Sequence, residues 1–143
     1  MFGLTINEIN SMVKATGLEA ESFVETDLVS PSLIHAAEAL HPALARTMYD
    51  GRRMRLRVDK EGACHFLGPG GCSLPRRARP IFCRMYPVFV APQGELVLIL
   101  KEGCLAQDGA ASPEDVLKRL GQTEKNLRNL HARLLRLSAA HRS

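Results

Sequence analysis

Four cysteines are the residues whose type and spacing most favour a shared chemical site. They follow the pattern Cys64-x7-Cys72-x10-Cys83-x20-Cys104 in a chain of 143 residues. In a reducing compartment, cysteines gathered in one stretch are more often metal ligands than members of a disulfide framework. Four thiolates suit either one tetrahedral zinc ion or one cubane iron–sulfur cluster. We therefore predict that they hold one metal centre together, the alternative being four unrelated buried thiols.

The spacing alone is a moderate indication, because the chain has no Cys-x-x-Cys pair of the kind that zinc ribbons use. The surroundings of the cysteines add to it. Cys72 follows a run of glycines around a proline and is expected on a loop, and Cys104 follows a glycine after an expected strand. Tight turns of this kind let thiolates converge on one ion. His65 is adjacent to Cys64 on an expected strand and should face the opposite side, so it is not a predicted ligand.

Arginines surround the second and third cysteines and would offset the negative charge of a thiolate-bound centre. They are Arg76, Arg77, Arg79 and Arg84. We predict that Arg79 and Arg84 bind the cofactor, through charge or through hydrogen bonds to sulfur. The alternative, ordinary surface ion pairs, is favoured for the other two. The charge is uneven along the chain: residues 46–84 carry nine Arg and one Lys against three acids, a balance of +7, whereas residues 1–45 carry one Lys against six acids, a balance of −5.

The first third of the sequence, residues 1–50, is predicted to be a helical part that helps to position the cysteines. Thr5 and Glu8 make a capping-box pattern, and a proline follows a serine cap further along. These patterns predict a first helix from Thr5 to Gly17, a second and short helix over Glu19–Thr26 that buries Phe23, a third that begins at Pro31, and a further helical stretch over Ala43–Tyr49.

The middle of the sequence, residues 51–104, is predicted to be a cysteine-bearing β core. Apolar residues alternate with arginines over residues 53–58, which is the period of a half-exposed strand. The partner strand is expected over Cys64–Leu67. A second hairpin is expected from Val88–Val90 and Glu95–Leu100.

The C-terminal part, residues 112–138, is predicted to be one long amphipathic helix that Ser112 caps. Its apolar residues Val116, Leu120, Leu127, Leu130, Leu134 and Leu137 follow a spacing of three and four positions, which Thr123 alone interrupts. Such a seam either covers the domain's own core or pairs two chains in a homodimer. The expected fold is a small α+β single domain over residues 1–143, with helices at both ends around short antiparallel hairpins that carry the metal centre.

The expected compartment is the cytoplasm. The N-terminal residues lack the basic start and apolar run of a secretory signal. The longest apolar run, Leu96–Leu100, is far too short to cross a bilayer. No membrane partner is therefore predicted.

Several segments together resemble a known family. They are Cys64-His65-Phe66-Leu67, Gly71-Cys72-Ser73-Leu74, Arg79-Pro80-Ile81-Phe82-Cys83-Arg84-Met85-Tyr86-Pro87 and the helical string Leu4-Thr5-x-x-Glu8-Ile9. This set, which covers roughly residues 4–104, is similar to the YkgJ-type cysteine-cluster family, a zinc- or iron-chelating domain also found in flagellin lysine N-methylases. The resemblance implies a metal or iron–sulfur domain and, in the methylase relatives, methyl transfer from S-adenosylmethionine.

The chain departs from that family in two places. The family typically begins with a Cys-x-x-Cys-x-x-Cys-Cys cluster before the Leu-Thr string, and here no cysteine precedes Cys64. Either translation begins upstream of Met1 or this member has lost the cluster. Pro75 also replaces an aromatic residue that commonly follows the second cysteine.

The expected function is metal binding in an accessory or redox role. A 4Fe–4S cluster is favoured over a zinc or iron ion, because wide spacing without Cys-x-x-Cys pairs and the resemblance both favour it. The alternatives are a methyltransferase-like enzyme that modifies proteins with S-adenosylmethionine, and a structural zinc module that binds a protein or a nucleic acid. Nucleic-acid binding is the least favoured, because the aromatic residues that would stack on bases look like core residues.

Overall fold

The computed structural model describes residues 2–99 and 106–141. These residues form six α-helices and three two-stranded antiparallel sheets, so the α+β prediction is confirmed. The helices are α1 (Ile6–Thr16), α2 (Pro31–Leu40), α3 (Pro42–Ala45), α4 (Ile81–Met85), α5 (Pro113–Arg119) and α6 (Glu124–Ala139). The strands are β1 (Val24–Leu28), β2 (Arg52–Leu56), β3 (Leu67–Gly68), β4 (Gly71–Cys72), β5 (Val88–Val90) and β6 (Leu96–Leu98). None of the described helices is both long and apolar enough to span a membrane.

The first helix, α1, begins and ends where its sequence predicts. The Glu8 backbone N–H donates to Thr5 Oγ1 at 3.3 Å, and the Thr5 N–H donates to Glu8 Oε2 at 2.9 Å, which completes the capping box. Gly17 then takes the left-handed conformation that stops the helix. Ile9 and Met12 are buried, whereas Ile6 is exposed.

The predicted second helix over Glu19–Thr26 is wrong in its second half. Only Ala20–Ser22 forms a short 3-10 helix, and the chain then enters strand β1. The predicted burial of Phe23 is confirmed, with no exposed surface. Tertiary pairing decides this outcome, because β1 finds a complete antiparallel partner in β2, from Val24 opposite Leu56 to Leu28 opposite Arg52.

The predicted pairing of β2 with Cys64–Leu67 is therefore also wrong. One isolated bridge, between Val58 and Cys64, is what joins these two segments. Opposite charges explain the choice of β1, since its acids lie directly across from the arginines of β2. Arg53 Nε lies 3.0 Å from Asp27 Oδ1, and Arg55 Nη2 lies 2.9 Å from Glu25 Oε1. The acidic first third of the chain thus neutralises part of the basic middle.

The helical stretch predicted over Ala43–Tyr49 is confirmed in part. Helix α3 covers its start, and a 3-10 segment follows over Arg46–Gly51, but Met48 and Tyr49 have non-helical backbone angles there. The hairpin predicted around residues 91–94 is confirmed as β5 and β6, with Val88 opposite Leu98.

The single long C-terminal helix is wrong, because the chain breaks it into α5 and α6. Gly121 has a φ of 67°, and the Thr123 side chain accepts a hydrogen bond from the Asn126 N–H, which caps α6. Ser112 caps α5 as predicted. Leu120, at the break, is 42 % exposed.

The described residues bury two hydrophobic clusters. The larger one joins α4, β5 and α6 and contains most of the predicted C-terminal seam, including Val116, Leu127 and Leu134. These side chains are therefore buried in the chain's own core. The smaller cluster lies under α1 and contains Phe23 and Phe66, whose ring centroids are 5.2 Å apart.

Candidate metal centre

The described cysteines lie on three separate short elements. Cys64 is half-buried against the smaller core and bridges to Val58. Cys72 ends β4, opposite Leu67, so it occupies a two-residue strand where a loop was expected. Cys83 lies in the middle of α4. Cys104, the fourth predicted ligand, lies outside the described residues.

These elements bring the three described thiols into one electrostatic neighbourhood. The pKa of the Cys83 thiol is raised to about 12, mainly because the surrounding protein weakens its hydration, then because of the negative charges of Cys64, Cys72 and Glu8. The Cys83 side chain nevertheless remains exposed, so water still reaches the thiol. Thiolates of all three residues would therefore repel one another.

The arrangement stops short of a coordination shell. Within residues 2–99 and 106–141, no three side chains of His, Cys, Asp or Glu lie close enough together to hold a metal ion. The three described cysteines thus lie in the same region, but their sulfur atoms do not converge on one ion-sized position. His65, which was not a predicted ligand, is exposed beside Cys64, and its ring is in edge contact with Phe66.

Helix α4, which carries Cys83, is held by Glu8, which the sequence predicted only as a capping residue of the first helix. Pro80 precedes α4 and has no side chain able to cap it. Instead, the Ile81 N–H donates to Glu8 Oε1 at 2.9 Å. The Glu8 carboxylate is buried and uses its other oxygen in the capping box of α1. One carboxylate therefore joins the starts of two helices, 73 residues apart in sequence.

The importance of Glu8 for the cysteine region had only an indirect indication in the sequence. Its spacing from Thr5 explains a local cap completely, and nothing local connects it with Ile81. The family resemblance included Glu8 among its matching residues, and this was the indication that Glu8 and the cysteine segments belong together. In the structure, Glu8 is both an anchor for α4 and one of the charges that act on Cys83.

Arg79 lies between the second and third cysteines. Its Nε donates to the Leu74 carbonyl at 3.1 Å, and its Nη2 donates to the Cys72 carbonyl at 3.3 Å. Its charge acts on Cys83 in the direction opposite to burial and lowers the pKa of that thiol. Arg79 thus holds the backbone at Cys72 and partly offsets thiolate charge at Cys83.

Arg84 has different surroundings from Arg79. The pKa of its guanidinium is lowered by burial and then by the nearby charges of Arg133 and Arg76. Arg84 lines a cavity with these arginines on the side of α4 that faces α6. The two arginines that the sequence grouped as cofactor ligands therefore lie in different environments.

Comparisons with protein-family models, with curated proteins and with solved structures found no match to this chain. The resemblance to the cysteine-cluster family therefore stays a prediction based on the quoted segments.

Proposed function

We propose that this protein binds one soft metal centre through Cys64, Cys72 and Cys83, with Cys104 as the fourth ligand. The observation that carries the proposal is that three cysteines from separate segments lie near one another, close enough for the charges of Cys64 and Cys72 to add to the effect of burial in raising the pKa of Cys83. Zinc ions and iron–sulfur clusters both favour thiolate ligands. A bound cation would stabilise these thiolates and replace their protons.

The elements that carry the cysteines allow the thiols to move closer together when a metal binds. Because no three described donors lie within reach of one ion, metal binding is expected to draw the thiols together. Glu8 and Ile81 hold α4 firmly, whereas Cys72 lies on a ladder of only two residue pairs. We therefore expect the β3–β4 segment to make the larger adjustment, with Arg79 following through its bond to the Cys72 carbonyl.

Metal analysis of the whole chain tests the proposal. The protein is purified without oxygen, and its visible spectrum is recorded with iron, sulfide and zinc contents on the same sample. A brown protein with iron and sulfide in nearly equal amounts would support the 4Fe–4S cluster that we favour. A colourless protein with one zinc per chain would support a structural zinc module.

Two variants separate coordination from general damage. Cys83→Ser should lose the metal, whereas His65→Ala should keep it, because His65 is exposed beside a ligand without being one. The shared centre would be contradicted if the wild-type protein stayed metal-free after reconstitution with iron and sulfide and with zinc. Full metal content in Cys83→Ser would contradict it as well.

The alternative functions need their own tests. A methyltransferase-like activity requires binding of S-adenosylmethionine, and calorimetric titration of the metal-loaded protein would detect it. Nucleic-acid binding through β2 meets an obstacle in the structure, because Arg53 and Arg55 already form ion pairs with Asp27 and Glu25. Phosphate contacts would have to compete with those pairs.

A further inference from the structure

A cavity of about 610 Å³ lies between α4 and α6, and none of the described cysteines lines it. Four arginines line it, which are Arg76, Arg84, Arg133 and Arg136. No acidic side chain of the described residues contributes to the lining. Arginines from three segments, the 3-10 turn Arg76–Ala78, α4 and α6, thus converge where nothing described neutralises them.

Arg84 shows most clearly that this arrangement lacks a partner. Its Nε is fully buried and has no hydrogen-bond acceptor among residues 2–99 and 106–141. A buried N–H of a charged group without an acceptor is strongly unfavourable, and so is the proximity of like charges from Arg133 and Arg76. An anion in the cavity would supply both the acceptor and the opposite charge.

The rest of the lining suits a small polar molecule. Gln122, Asn126 and Asn129 offer amide groups that donate and accept hydrogen bonds without adding charge, and Leu130 adds an apolar wall. The volume falls within the range of small-molecule sites, roughly 300–1,000 Å³. Guanidinium groups bind phosphate oxygens in pairs of parallel hydrogen bonds, which makes arginine clusters well suited to phosphorylated ligands.

We propose that the cavity between α4 and α6 binds a small ligand that carries a diphosphate group. Four positive charges match such a group better than a single carboxylate, whose charge would leave most of the arginines uncompensated. The site is distinct from the proposed metal centre, because none of the described cysteines lines the cavity.

Titration of the purified full chain with inorganic pyrophosphate and with ADP, at constant ionic strength, tests this proposal. We expect saturable binding at one site per chain for both compounds, because they share the diphosphate group. Arg84→Gln and Arg133→Gln should each weaken binding by about tenfold or more, the loss of one charged hydrogen-bond donor. Lys125→Gln should leave the affinity unchanged, because it removes the same charge from an exposed position on α6 outside the cavity.

Several outcomes would overturn the proposal. One is the absence of saturable binding of both compounds, and another is an equal loss of affinity in Lys125→Gln, which would indicate diffuse charge attraction. Binding of single-stranded RNA but of neither diphosphate would assign the arginines to a nucleic acid instead. The melting temperature of ligand-free Arg84→Gln gives a second check: it should stay constant or rise as repulsion is relieved, and a marked fall would make Arg84 a structural residue.

Discussion

Helix α4 carries residues of two chemically different regions, one that contains cysteines and one that contains arginines. Successive residues of an α-helix point about 100° apart, so Cys83 and Arg84 can enter different environments although they are adjacent in sequence. Cys83 lies near two further thiols and the Glu8 carboxylate, which all oppose its ionisation. Arg84 lies near Arg133 and Arg76, which oppose its charge in turn. The cysteine region gathers groups that become negative only when they ionise, whereas the arginine region gathers positive groups, so a cation would stabilise the first and an anion the second.

The two regions differ in how their frames are built. The cysteine region is assembled from short pieces, since β3 and β4 have two residues each. The arginine region rests on α6, whose Leu127 and Leu134 are buried in the larger core. From this contrast we expect that a metal bound to the cysteine region would contribute to folding, whereas an anion bound to the arginine region would bind a surface that is already formed.

The largest expected effect distinguishes the two regions directly. In metal-loaded protein, Cys83→Ser should reduce the metal content by at least about tenfold and lower the melting temperature, because metal binding contributes folding energy in such sites. Arg84→Gln, one residue along α4, should keep both values. Metal analysis and thermal unfolding of the two variants measure this, and equal metal loss in both would show that the regions are not separate.

Removal of Glu8 should have the next largest effect. Glu8→Ala leaves the Ile81 N–H without its acceptor and removes the capping box of α1, so the free energy of unfolding should fall by about 2–3 kcal/mol. Urea denaturation of the metal-free protein measures this loss. Glu19→Ala is the matched control, because Glu19 is exposed and its side chain makes no capping hydrogen bond. If the free energy of unfolding of Glu8→Ala fell no more than that of Glu19→Ala, Glu8 would not anchor α4.

The alkylation rate of Cys83 tests the raised pKa of its thiol. A rise of the Cys83 pKa from 9.0 to about 12 reduces the thiolate fraction near neutral pH. That reduction is about a thousandfold, and the greater nucleophilicity of a more basic thiolate recovers part of it, so alkylation should be about 30- to 60-fold slower than for an ordinary cysteine. Mass spectrometry of the metal-free protein after iodoacetamide treatment measures the rate. Glu8→Gln should speed the reaction and Arg79→Gln should slow it, and an ordinary rate at Cys83 would contradict the arrangement.

The raised pKa of Cys83 also predicts how the stability of the metal-free protein depends on pH. Between the ordinary cysteine pKa and about 12, the folded protein keeps the Cys83 proton while the unfolded chain loses it. The folded state then binds more protons, so the stability of the metal-free protein should fall as pH rises through that range. Cys83→Ser, compared in the same metal-free state, should show a smaller decline.

The smallest effect concerns arginines that do have partners. Arg55 contacts Glu25 and Asp27 across β1 and β2, at partly exposed positions. Arg55→Gln should therefore lower the free energy of unfolding by about 0.5–1 kcal/mol, and less at high salt. Thermal unfolding at two ionic strengths measures this. Arg84→Gln without ligand should show no such loss, and equal losses in both variants would erase the distinction between paired and unpaired arginines.

Local patterns in the sequence predicted the parts of the fold that local energies control. The capping box at Thr5 and Glu8, the serine and proline starts of α2 and α5, and the hairpin of β5 and β6 are all confirmed. The break between α5 and α6 also had local indications, in Gly121 and Thr123, but the apolar seam outweighed them in the prediction. The seam was a correct indication of burial and a wrong one of helix continuity.

What the sequence by itself determined is the inventory: four cysteines, a basic middle segment, and helix starts that depend on residues a few positions apart. Only the tertiary structure decided which of these groups face one another. The pairing of β1 with β2, the bond from Ile81 to Glu8, and the opposite surroundings of Cys83 and Arg84 all join or separate residues regardless of their distance along the chain. Charge complementarity and burial act through space, so local spacing cannot reveal them.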